Sequence, residues 1–359
     1  MRRTLSLASC LLVACAASAR ADKISVVAGG GDGADFTTAT KAKLVQPFGV
    51  DFLGTHVVYI VEMAKGERLR VIDTEKMLGT IAGKEGEKGN AGDGGSALDA
   101  RFNGMHSLAI GPKGVVYLAD TWNNRVRCYD YADNKVRAFA GTGEKGFSGD
   151  GGPASKAKFG GLFCVSFDPA KKNLYVTDLD NRRVRKIDMA TEIVTTVAGN
   201  GEKGVPKDGG DALTQPLVDP RAHAVDQDGN IWVLERGGHA LRVIDAKGRI
   251  RTVAGTGKAG QGTGKALEAA FNGPKHLCID RDGSVLIADT ENHRVVRFSP
   301  KDNTLTLVAG TGKKGTSLGD GDPLKAEFNQ PHGVAVHPTS GDIYISDASN
   351  NRVLKITRE

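Results

Sequence analysis

The amino-acid sequence predicts an all-β protein, a six-bladed β-propeller, and three repeating patterns carry that prediction. An apolar run that ends in Ala-Gly recurs six times, with its alanines 54–58 residues apart. A second apolar run, which ends in an acidic residue, recurs in the same phase, and a third follows an Asn-x-Pro-like segment. Repeats of this length that hold several strand-like runs are typical of propeller blades. The six alanines are Ala28, Ala82, Ala140, Ala198, Ala254 and Ala309.

Within each copy these runs predict four short strands in a fixed order. The first strand follows the Asn-x-Pro-like segment, as in Phe328-Asn-Gln-Pro-His. The second is the run that ends in an acid, which is rich in Val, Ile and Tyr. The third follows an arginine, and the fourth ends in Ala-Gly. Glycines, 48 in 359 residues, and Asn/Asp clusters separate the strands as turn residues do.

The two ends of the chain predict how the ring closes. The last copy ends after its third strand, and a fourth-strand sequence, residues 24–29, stands near the N-terminus instead. We expect this strand to complete the last blade, because a closed ring has no open sheet edge at the junction. Residues 22–359 then form a single domain, although the length alone suggests two.

The first 21 residues predict an export signal. Arg2 and Arg3 precede an apolar stretch, Thr4–Ala17, which is too short to span a membrane, and a small-x-small cleavage site ends at Ala21. The alternative is a lipobox that ends at Cys15, which would carry a lipid anchor. Both alternatives predict an exported protein (periplasmic, extracellular or an outer-envelope lipoprotein) without a transmembrane span.

Charge and cysteine content exclude other classes of protein. The formal charge of +6 comes from 48 basic and 42 acidic residues, which is too balanced for a nucleic-acid-binding surface. Beyond the signal, Cys128, Cys164 and Cys278 lie in apolar runs, so they are predicted to be buried hydrophobic residues rather than a disulfide framework.

The sequence motifs resemble the NHL repeat. The resemblance is seen in three segments: Asn-x-Pro-x-Gly-Val-Ala-Val at 329–336, Ile-Tyr-Ile-Ser-Asp at 343–347 and Asn-Asn-Arg-Val at 350–353. Gly-Phe-Ser-Gly-Asp-Gly-Gly-Pro-Ala at 146–154 is similar to a loop of secreted bacterial members. The resemblance covers residues 23–359 and implies a six-bladed propeller. It implies no single function, since such propellers include protein- and RNA-binding modules, extracellular domains and a peptidyl-α-hydroxyglycine lyase.

An acid and an arginine five residues later recur at the turn between strands two and three. We interpret these residues as structural turn pairs, because a catalytic group is needed once and not in every blade. Glu62 and Glu235 replace the aspartate in copies one and four. The predicted pairs are Asp120 with Arg125, Asp178 with Arg183, Asp289 with Arg294, and Asp347 with Arg352.

The Gly-Asp-Gly loops around Asp93, Asp150 and Asp320 join successive blades. We interpret them as turns in which glycine supplies the positive φ and the aspartate bonds nearby N–H groups. Calcium binding to the carboxylates is the alternative. Phosphate binding is excluded because no helix follows these loops.

Residues that differ between copies at one level of the ring are the candidate ligand site. The residue after the Pro position of each first strand should face the mouth of the central channel. This set contains two His, one Arg, one Lys, two Phe and no carboxylate, which suits an anionic or carboxylate-bearing ligand. The six residues are Phe48, His106, Phe163, Arg221, Lys275 and His332.

The lyase resemblance implies zinc on three histidines of the inner strands. His106 and His332 match two of those positions, whereas His276 is offset by one residue and His223 by two. Zinc needs three or four ligands, so no cofactor is predicted, and zinc at His106 and His332 remains the alternative. Trp122, at a turn of copy two, is a candidate partner anchor.

The sequence therefore favours a protein that is not an enzyme. We expect an exported binding or scaffold module that takes a protein, peptide or glycan on its loop-rich face. One alternative is a metal-dependent lyase or hydrolase centred on His106 and His332. The other is a small-anion binder that uses Arg221 and Lys275.

Overall fold

The computed structural model describes residues 22–358 and shows six antiparallel β-sheets arranged as a ring, which confirms the predicted six-bladed propeller. This part of the chain contains no α-helix, only short 3₁₀ segments in its turns and loops. No helix in residues 22–358 has the length and apolarity to cross a bilayer. The export signal predicted for residues 1–21, with Cys15, lies outside the described residues.

The strands follow one another blade by blade. The first strand, β1 (Lys23–Gly29), belongs to the last blade. Blade one holds β2 (Thr37–Thr38), β3 (Pro47–Leu53), β4 (Val57–Glu62), β5 (Arg68–Ile72) and β6 (Met77–Gly83). Blade two holds β7 (Met105–Ile110), β8 (Val116–Asp120), β9 (Arg125–Asp130) and β10 (Lys135–Ala140). Blade three holds β11 (Leu162–Phe167), β12 (Asn173–Asp178), β13 (Arg183–Asp188) and β14 (Val194–Ala198).

The second half of the ring repeats this order. Blade four holds β15 (Gly210–Asp211), β16 (Pro220–Val225), β17 (Ile231–Glu235), β18 (Ala240–Ile244) and β19 (Arg249–Ala254). Blade five holds β20 (Gly264–Lys265), β21 (His276–Ile279), β22 (Val285–Asp289), β23 (Arg294–Ser299) and β24 (Thr304–Ala309). Blade six holds β25 (Pro331–Val336), β26 (Ile343–Asp347) and β27 (Arg352–Thr357). The 3₁₀ segments are Ala97–Asp99, Pro112–Gly114, Thr121–Asn123, Ala154–Lys156, Thr290–Asn292, Gly319–Gly321, Pro323–Lys325 and Ala348–Asn350.

Ring closure occurs as the sequence predicts. Strand β1 pairs antiparallel with β27, from Lys23 opposite Thr357 to Gly29 opposite Arg352. Ile24 and Ala28 are buried in this blade, so the strand contributes core as well as hydrogen bonds. Blade six is therefore built from both ends of the described chain.

Three blades have a fifth strand that the sequence does not predict. The two-residue strands β2, β15 and β20 pair with the outermost long strand of blades one, four and five. Each comes from a blade-joining loop. Two residues are too short to show the alternation that marks a strand, so the pattern gives no signal for them.

The direction of the strands gives the ring two different faces. Every inner strand starts on the face that carries the blade-joining loops and the turns between strands two and three; we call it the loop face. The opposite face carries the tight turns between strands one and two and between strands three and four; we call it the turn face. The apolar core lies between neighbouring blades, and its largest apolar side chains include Phe102, Phe159, Phe271 and Phe328, which precede the inner strands and are fully buried.

Candidate functional site

The residue after the Pro position lies in a β-bulge in five of the six inner strands. In blade one, Pro47 pairs with Glu62 and Val50 with Ile60, so the inner strand has one residue more than its partner. Blades two, three, four and six have the same extra residue at this point. A bulge takes a side chain out of the regular alternation. Here it frees the side chain to reach the ring axis.

Five of the six predicted site residues contact one another at that axis. The ring of Phe48 stacks on His332 at 3.7 Å and meets the edge of His106 at 5.2 Å between centroids. His106 in turn packs against Phe163 at 4.6 Å. The guanidinium of Arg221 lies 4.1 Å from the centroid of Phe163, and its Nη2 is 2.9 Å from Nε2 of His332. We call these five side chains the axial plug.

Lys275 lies beside the plug and not in it. Its Nζ is 2.8 Å from Oε1 of Glu291, in the turn between strands two and three of its own blade. Its charge still acts on the plug, because it is among the groups that lower the pKa of His106 and His332. The six residues are thus at one level of the ring, with Lys275 at the rim.

The plug fills the mouth of the central channel, where the sequence predicts a ligand site. His106, Arg221 and His332 are only 3–4% exposed and Phe48 is 9% exposed, while Phe163 is half-buried. Four of the five side chains are flat rings: Phe48 and His332 stack, and His106 meets Phe48 and Phe163 edge-on. A ligand on the loop face therefore meets the edge of the plug first.

Hydrogen bonds assign the protons of the two plug histidines. His106 Nδ1 lies 2.8 Å from the carbonyl oxygen of Gly104, an acceptor only, so Nδ1 carries the proton. His332 Nε2 faces an Arg221 nitrogen that can only donate, so Nε2 accepts and the proton lies on Nδ1. Burial, with the charge of Arg221, lowers the pKa of both imidazoles well below its usual range. Both rings are therefore neutral at pH 7.

The zinc alternative meets a specific obstacle in this arrangement. The centroids of His106 and His332 are 5.8 Å apart, but Nε2 of His332 is occupied by the Arg221 guanidinium. Within residues 22–358, no three His, Cys, Asp or Glu side chains come together as a metal site requires. The residues present at this level do not fit the three-histidine set that the lyase resemblance implies.

Trp122 stands on the loop face beside the plug. Its indole is 45% exposed and meets the edge of His106 at 5.7 Å. The ring lies flat on Gly104, where an added Cβ would come within 2.3 Å of it. Its backbone N–H donates to the carbonyl of Asn103. The tryptophan is thus exposed but held in one place.

The predicted turn pairs are present in blades five and six. Nε of Arg294 lies 2.8 Å from Asp289, and Nε of Arg352 lies 2.8 Å from Asp347. Each aspartate also accepts from an asparagine two residues before the arginine, Asn292 or Asn350. The acid therefore joins the turn to the next strand.

In blades two and three the pairs differ from the prediction. Arg125 Nε is 3.8 Å from Asp120 and bonds Asp93 instead, at 2.9 Å. Arg183 donates to the backbone oxygens of Asn181 and Asn200 and not to Asp178. In blade two the Gly-Asp-Gly loop places a second carboxylate, that of Asp93, beside Arg125. In blade three the guanidinium of Arg183 instead lies over the ring of Phe147, 3.7 Å from its centroid.

These loop carboxylates are held by arginines. Asp93 binds both Arg125 and Arg127, and Asp150 binds Arg185 with Thr196 on its second oxygen. The guanidinium groups occupy the oxygens that calcium would need. Asp320 has a positive φ of 56° and occupies a tight turn, as the turn interpretation expects.

Copies one and four replace an Asp–Asn combination by Glu–Gly. Glu235 accepts from the backbone N–H of Val218 and from Arg242, at 2.7 Å each. Gly238 stands where the other blades have the turn asparagine, and a Cβ there would lie 2.6 Å from Glu235 Oε2. The longer acid thus fills the space of the missing asparagine side chain. Glu62 and Gly66 make the same exchange in blade one.

One contact that the sequence does not predict links neighbouring blades. The residue before strand three has a positive φ in every blade, and its side chain accepts a backbone N–H of the following blade in five of them. Asn124, for example, accepts from Gly161 N at 3.0 Å. The acceptors are Glu67, Asn124, His239, His293 and Asn351, and the exception is Arg182, which has only donors. Because the five residues are of different types, alignment of the copies does not show this repeat, although each of the five side chains has a hydrogen-bond acceptor.

Two cavities lie on the turn face, where the sequence predicts no site. The larger has a volume of about 990 Å³ and lies between blades four and five. The other occupies the central channel below the plug, with a volume of about 390 Å³. They share five lining residues, so the channel cavity opens into the larger one: Pro169, Val225, Ile279, Val336 and Pro338.

Comparison with protein families identifies the repeats. The NHL repeat model matches residues 102–129, 271–298 and 328–356. The teneurin NHL domain model matches residues 155–263. The matched segments therefore include parts of blades two to six.

The curated relatives are longer proteins that contain a similar region. The protein SUPPRESSOR OF QUENCHING 1, chloroplastic, of Arabidopsis thaliana is 26% identical over 284 residues, which are 76% of this chain and 26% of that protein. NHL repeat-containing protein 2 of Gallus gallus is 27% identical over an alignment of 238 residues, which covers 56% of this chain and 33% of that protein. The chain thus spans a third or less of the length of these relatives.

Solved structures share the fold at low sequence identity. An auxiliary nutrient binding protein of Bacteroides thetaiotaomicron superposes with a TM-score of 0.68 at 16% identity, over 93% of this chain and 76% of that one. Virginiamycin B lyase of Staphylococcus aureus gives a TM-score of 0.53 at 11% identity, over 88% of this chain and 98% of that one. At these identities the likeness concerns the fold alone.

Proposed function

Because the chain is a six-bladed β-propeller built from NHL repeats, we propose that it is an exported, non-catalytic binding module that holds a protein, peptide or glycan against its loop face. The export signal that residues 1–21 predict supports the location. The name of the Bacteroides neighbour, an auxiliary nutrient binding protein, is consistent with a binding role for this fold.

The recurring charged residues support a binding role over a catalytic one. The acids of the turns and the aspartates Asp93 and Asp150 are engaged in ion pairs and backbone bonds that repeat around the ring. The two plug histidines are neutral, and one of them is bonded to Arg221. These groups build and rigidify the propeller, which leaves recognition to the exposed side chains of the loop face.

The observation that carries the proposal is the exposed but fixed indole of Trp122. Tryptophans dominate binding energy where they combine a large apolar surface with little freedom to lose. Trp122 lies on Gly104, and its indole meets the edge of the plug at His106. Half-buried Phe163 packs against the same His106 and extends this aromatic surface. A peptide side chain or a sugar ring that stacks on Trp122 would contact this surface.

The test is a comparison of two exposed aromatic residues of the same blade. Labelled protein is applied to peptide and glycan arrays, and the affinity of the best ligand is then measured by calorimetry. We expect Trp122→Ala to weaken binding about tenfold or more. Tyr131, 75% exposed in a tight turn of the turn face, supplies the control Tyr131→Ala, which should bind like the wild type. Equal affinities of the wild type and Trp122→Ala would contradict the proposal.

A further inference from the structure

Arg221 differs from every other buried arginine of residues 22–358. The other eight each have a carboxylate oxygen within hydrogen-bonding distance, whereas Arg221 has none within 4 Å. Asp219, an acid whose charge acts on Arg221, binds Arg236 at 2.9 Å. The eight paired arginines are Arg68, Arg70, Arg125, Arg127, Arg185, Arg242, Arg294 and Arg352.

Within residues 22–358, the Arg221 guanidinium has few hydrogen-bond acceptors and no negatively charged partner. Nη2 bonds a neutral imidazole, and Nε is buried without a partner in the described part of the chain. Burial, followed by the charge of Arg236, lowers the pKa of Arg221 to about 9. An unpaired buried charge is costly, and a nearby anion removes most of that cost. An anion close to Arg221 would therefore stabilise this arrangement.

The space for an anion is the channel cavity directly below the plug. Inner strands run from the loop face to the turn face, so residues two and three positions after Pro form the end of the cavity nearest to Arg221. That end includes Cys164, His223 and His276. Arg221 is two residues before His223 on the same strand, and the pKa of His276 is lowered first by burial and then by the charge of Arg221. The guanidinium thus stands one level above the cavity.

Two histidines at this end offer polar atoms. His276 Nδ1 accepts the backbone N–H of Val334, so its proton lies on Nε2, and the ring is only half-buried because the channel reaches it. His223 is 1% exposed, and neither ring nitrogen has a hydrogen-bond partner in residues 22–358. Buried polar atoms without partners mark places where a ligand or ordered water binds.

The remaining wall of the cavity is mostly apolar. Its sides are formed by aliphatic and aromatic residues, among them Val50, Phe52, Leu108, Ile110, Val334 and Ala335. Its volume of about 390 Å³ is in the range of small-molecule sites. The apolar walls favour a ligand with a hydrocarbon part, and the inner end favours a negatively charged group on the same ligand.

The two carboxylates of the cavity wall are already engaged. Asp51 accepts the backbone N–H groups of Phe52 and Ile110, and burial raises its pKa. Asp168, nearer the turn face, accepts from Lys172 and Asn173 within its own turn. Both lie farther along the strands than the histidines, so the inner end keeps its positive character.

We propose that the central channel binds a small carboxylate with an apolar body, whose carboxylate is turned toward Arg221 and His276 and whose body lies against the apolar wall. The single charge of Arg221 calls for a monoanion rather than a phosphate. The ligand enters from the turn face through the larger cavity. This site is separate from the loop-face surface around Trp122.

Entry through the larger cavity meets nearly balanced charge. Its carboxylates are matched by Arg251, Arg281 and Lys301 in the wall and by two arginines that bind Asp280 from outside it. The six carboxylates are Asp226, Asp228, Asp245, Asp280, Asp282 and Asp302, and the two outer arginines are Arg297 and Arg358. A monoanion therefore encounters little repulsion before it reaches the channel.

Calorimetric titration with three probes of equal chain length tests the proposal. Hexanoate, 1-hexanol and hexylamine are titrated separately into the full protein. We expect hexanoate to bind saturably and at least about tenfold more tightly than hexanol, because only the carboxylate neutralises Arg221. Equal affinity of hexanoate and hexanol, or no saturable binding of hexanoate at millimolar concentrations, would overturn the proposal.

Two variants locate the probe and one serves as control. Arg221→Met removes the charge and should lower hexanoate affinity about tenfold while hexanol is unaffected. Ala335→Phe places a large side chain in the cavity and leaves Arg221 and the two histidines unsubstituted, and should abolish binding of both probes. Trp122→Ala, on the other face, should leave hexanoate affinity unchanged. If folded Ala335→Phe binds hexanoate as the wild type does, the anion binds elsewhere and the proposal is wrong. If only Trp122→Ala loses hexanoate affinity, the ligand binds on the loop face and the proposal is likewise wrong.

Discussion

Arg221 and Arg294 show how differently one residue type behaves in two buried places. Both residues are 3% exposed. Arg294 donates to Asp289 at 2.8 Å and to two backbone carbonyls, so its charge is neutralised and its donors are used. Arg221 has a ring face and an imidazole nitrogen as its partners. The electrostatic surroundings, and not the burial, decide what each guanidinium contributes to stability.

We therefore predict opposite effects of the same substitution at these two sites. Arg294→Met leaves Asp289 buried without its partner and should lower the free energy of unfolding by about 3 kcal/mol or more. Arg221→Met removes a buried charge that has no counter-ion, and methionine keeps most of the volume, so stability should stay equal or rise. Denaturant unfolding of both variants measures the difference. Similar destabilisation of both would mean that Arg221 has a compensating partner.

At the scale of the blade, the turn between strands two and three has two equivalent designs. Four blades combine Asp with Asn, and blades one and four combine Glu with Gly. Either way, one carboxylate oxygen accepts the backbone N–H two residues before the Pro position, as in Asp120 with Asn103 and Glu235 with Val218. The acid and the turn residue, Asn or Gly, together fill one fixed volume. Replacement of Asp by Glu should therefore be tolerated only when Asn is replaced by Gly, and the reverse.

Blade four offers the cleaner test of this exchange, because its turn has the same length as those of the Asp blades. Glu235→Asp should cost about 1–3 kcal/mol of unfolding free energy, since the shorter acid leaves a gap and loses hydrogen bonds. Gly238→Asn alone should also destabilise, because its Cβ would clash with Glu235. The double variant should recover most of the loss. Additive losses in denaturant unfolding would show that the two residues do not share one volume.

Blade architecture could be predicted from the sequence, but the partners of its arginines could not. Strands whose apolar run ends in an acid, such as β8 and β26, recur in every copy and are buried at every position. The same pattern could not show that Asp93 would approach Arg125 more closely than Asp120 does, because Asp93 reaches the arginine from a loop 32 residues earlier. Such contacts depend on the path of a loop, which local spacing does not record.

At the scale of the whole ring, residues that repeat build the fold and residues that do not repeat meet at the axis. Their common level could be predicted from alignment of the copies. That they pack into a plug could not, since the bond from Arg221 to His332 joins residues 111 positions apart across the channel. The channel cavity below it was missed for the same reason. Its walls come from all six inner strands.

The same ring geometry predicts where the chain tolerates a break. Strand β1 covers the edge of β27, so a protein that lacks residues 22–30 should expose that edge and lose the core contacts of Ile24 and Ala28. We expect this deletion variant to aggregate in size-exclusion chromatography and to unfold without a sharp transition.

A circular permutant that joins residue 358 to residue 22 by a short linker, and opens between Ala132 and Asp133, provides the matched control. A short linker suffices because Lys23 and Thr357 are already paired neighbours. In the permutant, β10 becomes the N-terminal strand and pairs with β9 to complete blade two, as β1 completes blade six in the wild type. The permutant should unfold cooperatively within a few degrees of the wild type. If the deletion variant also does so, strand β1 is dispensable and closure contributes little to the stability of the ring.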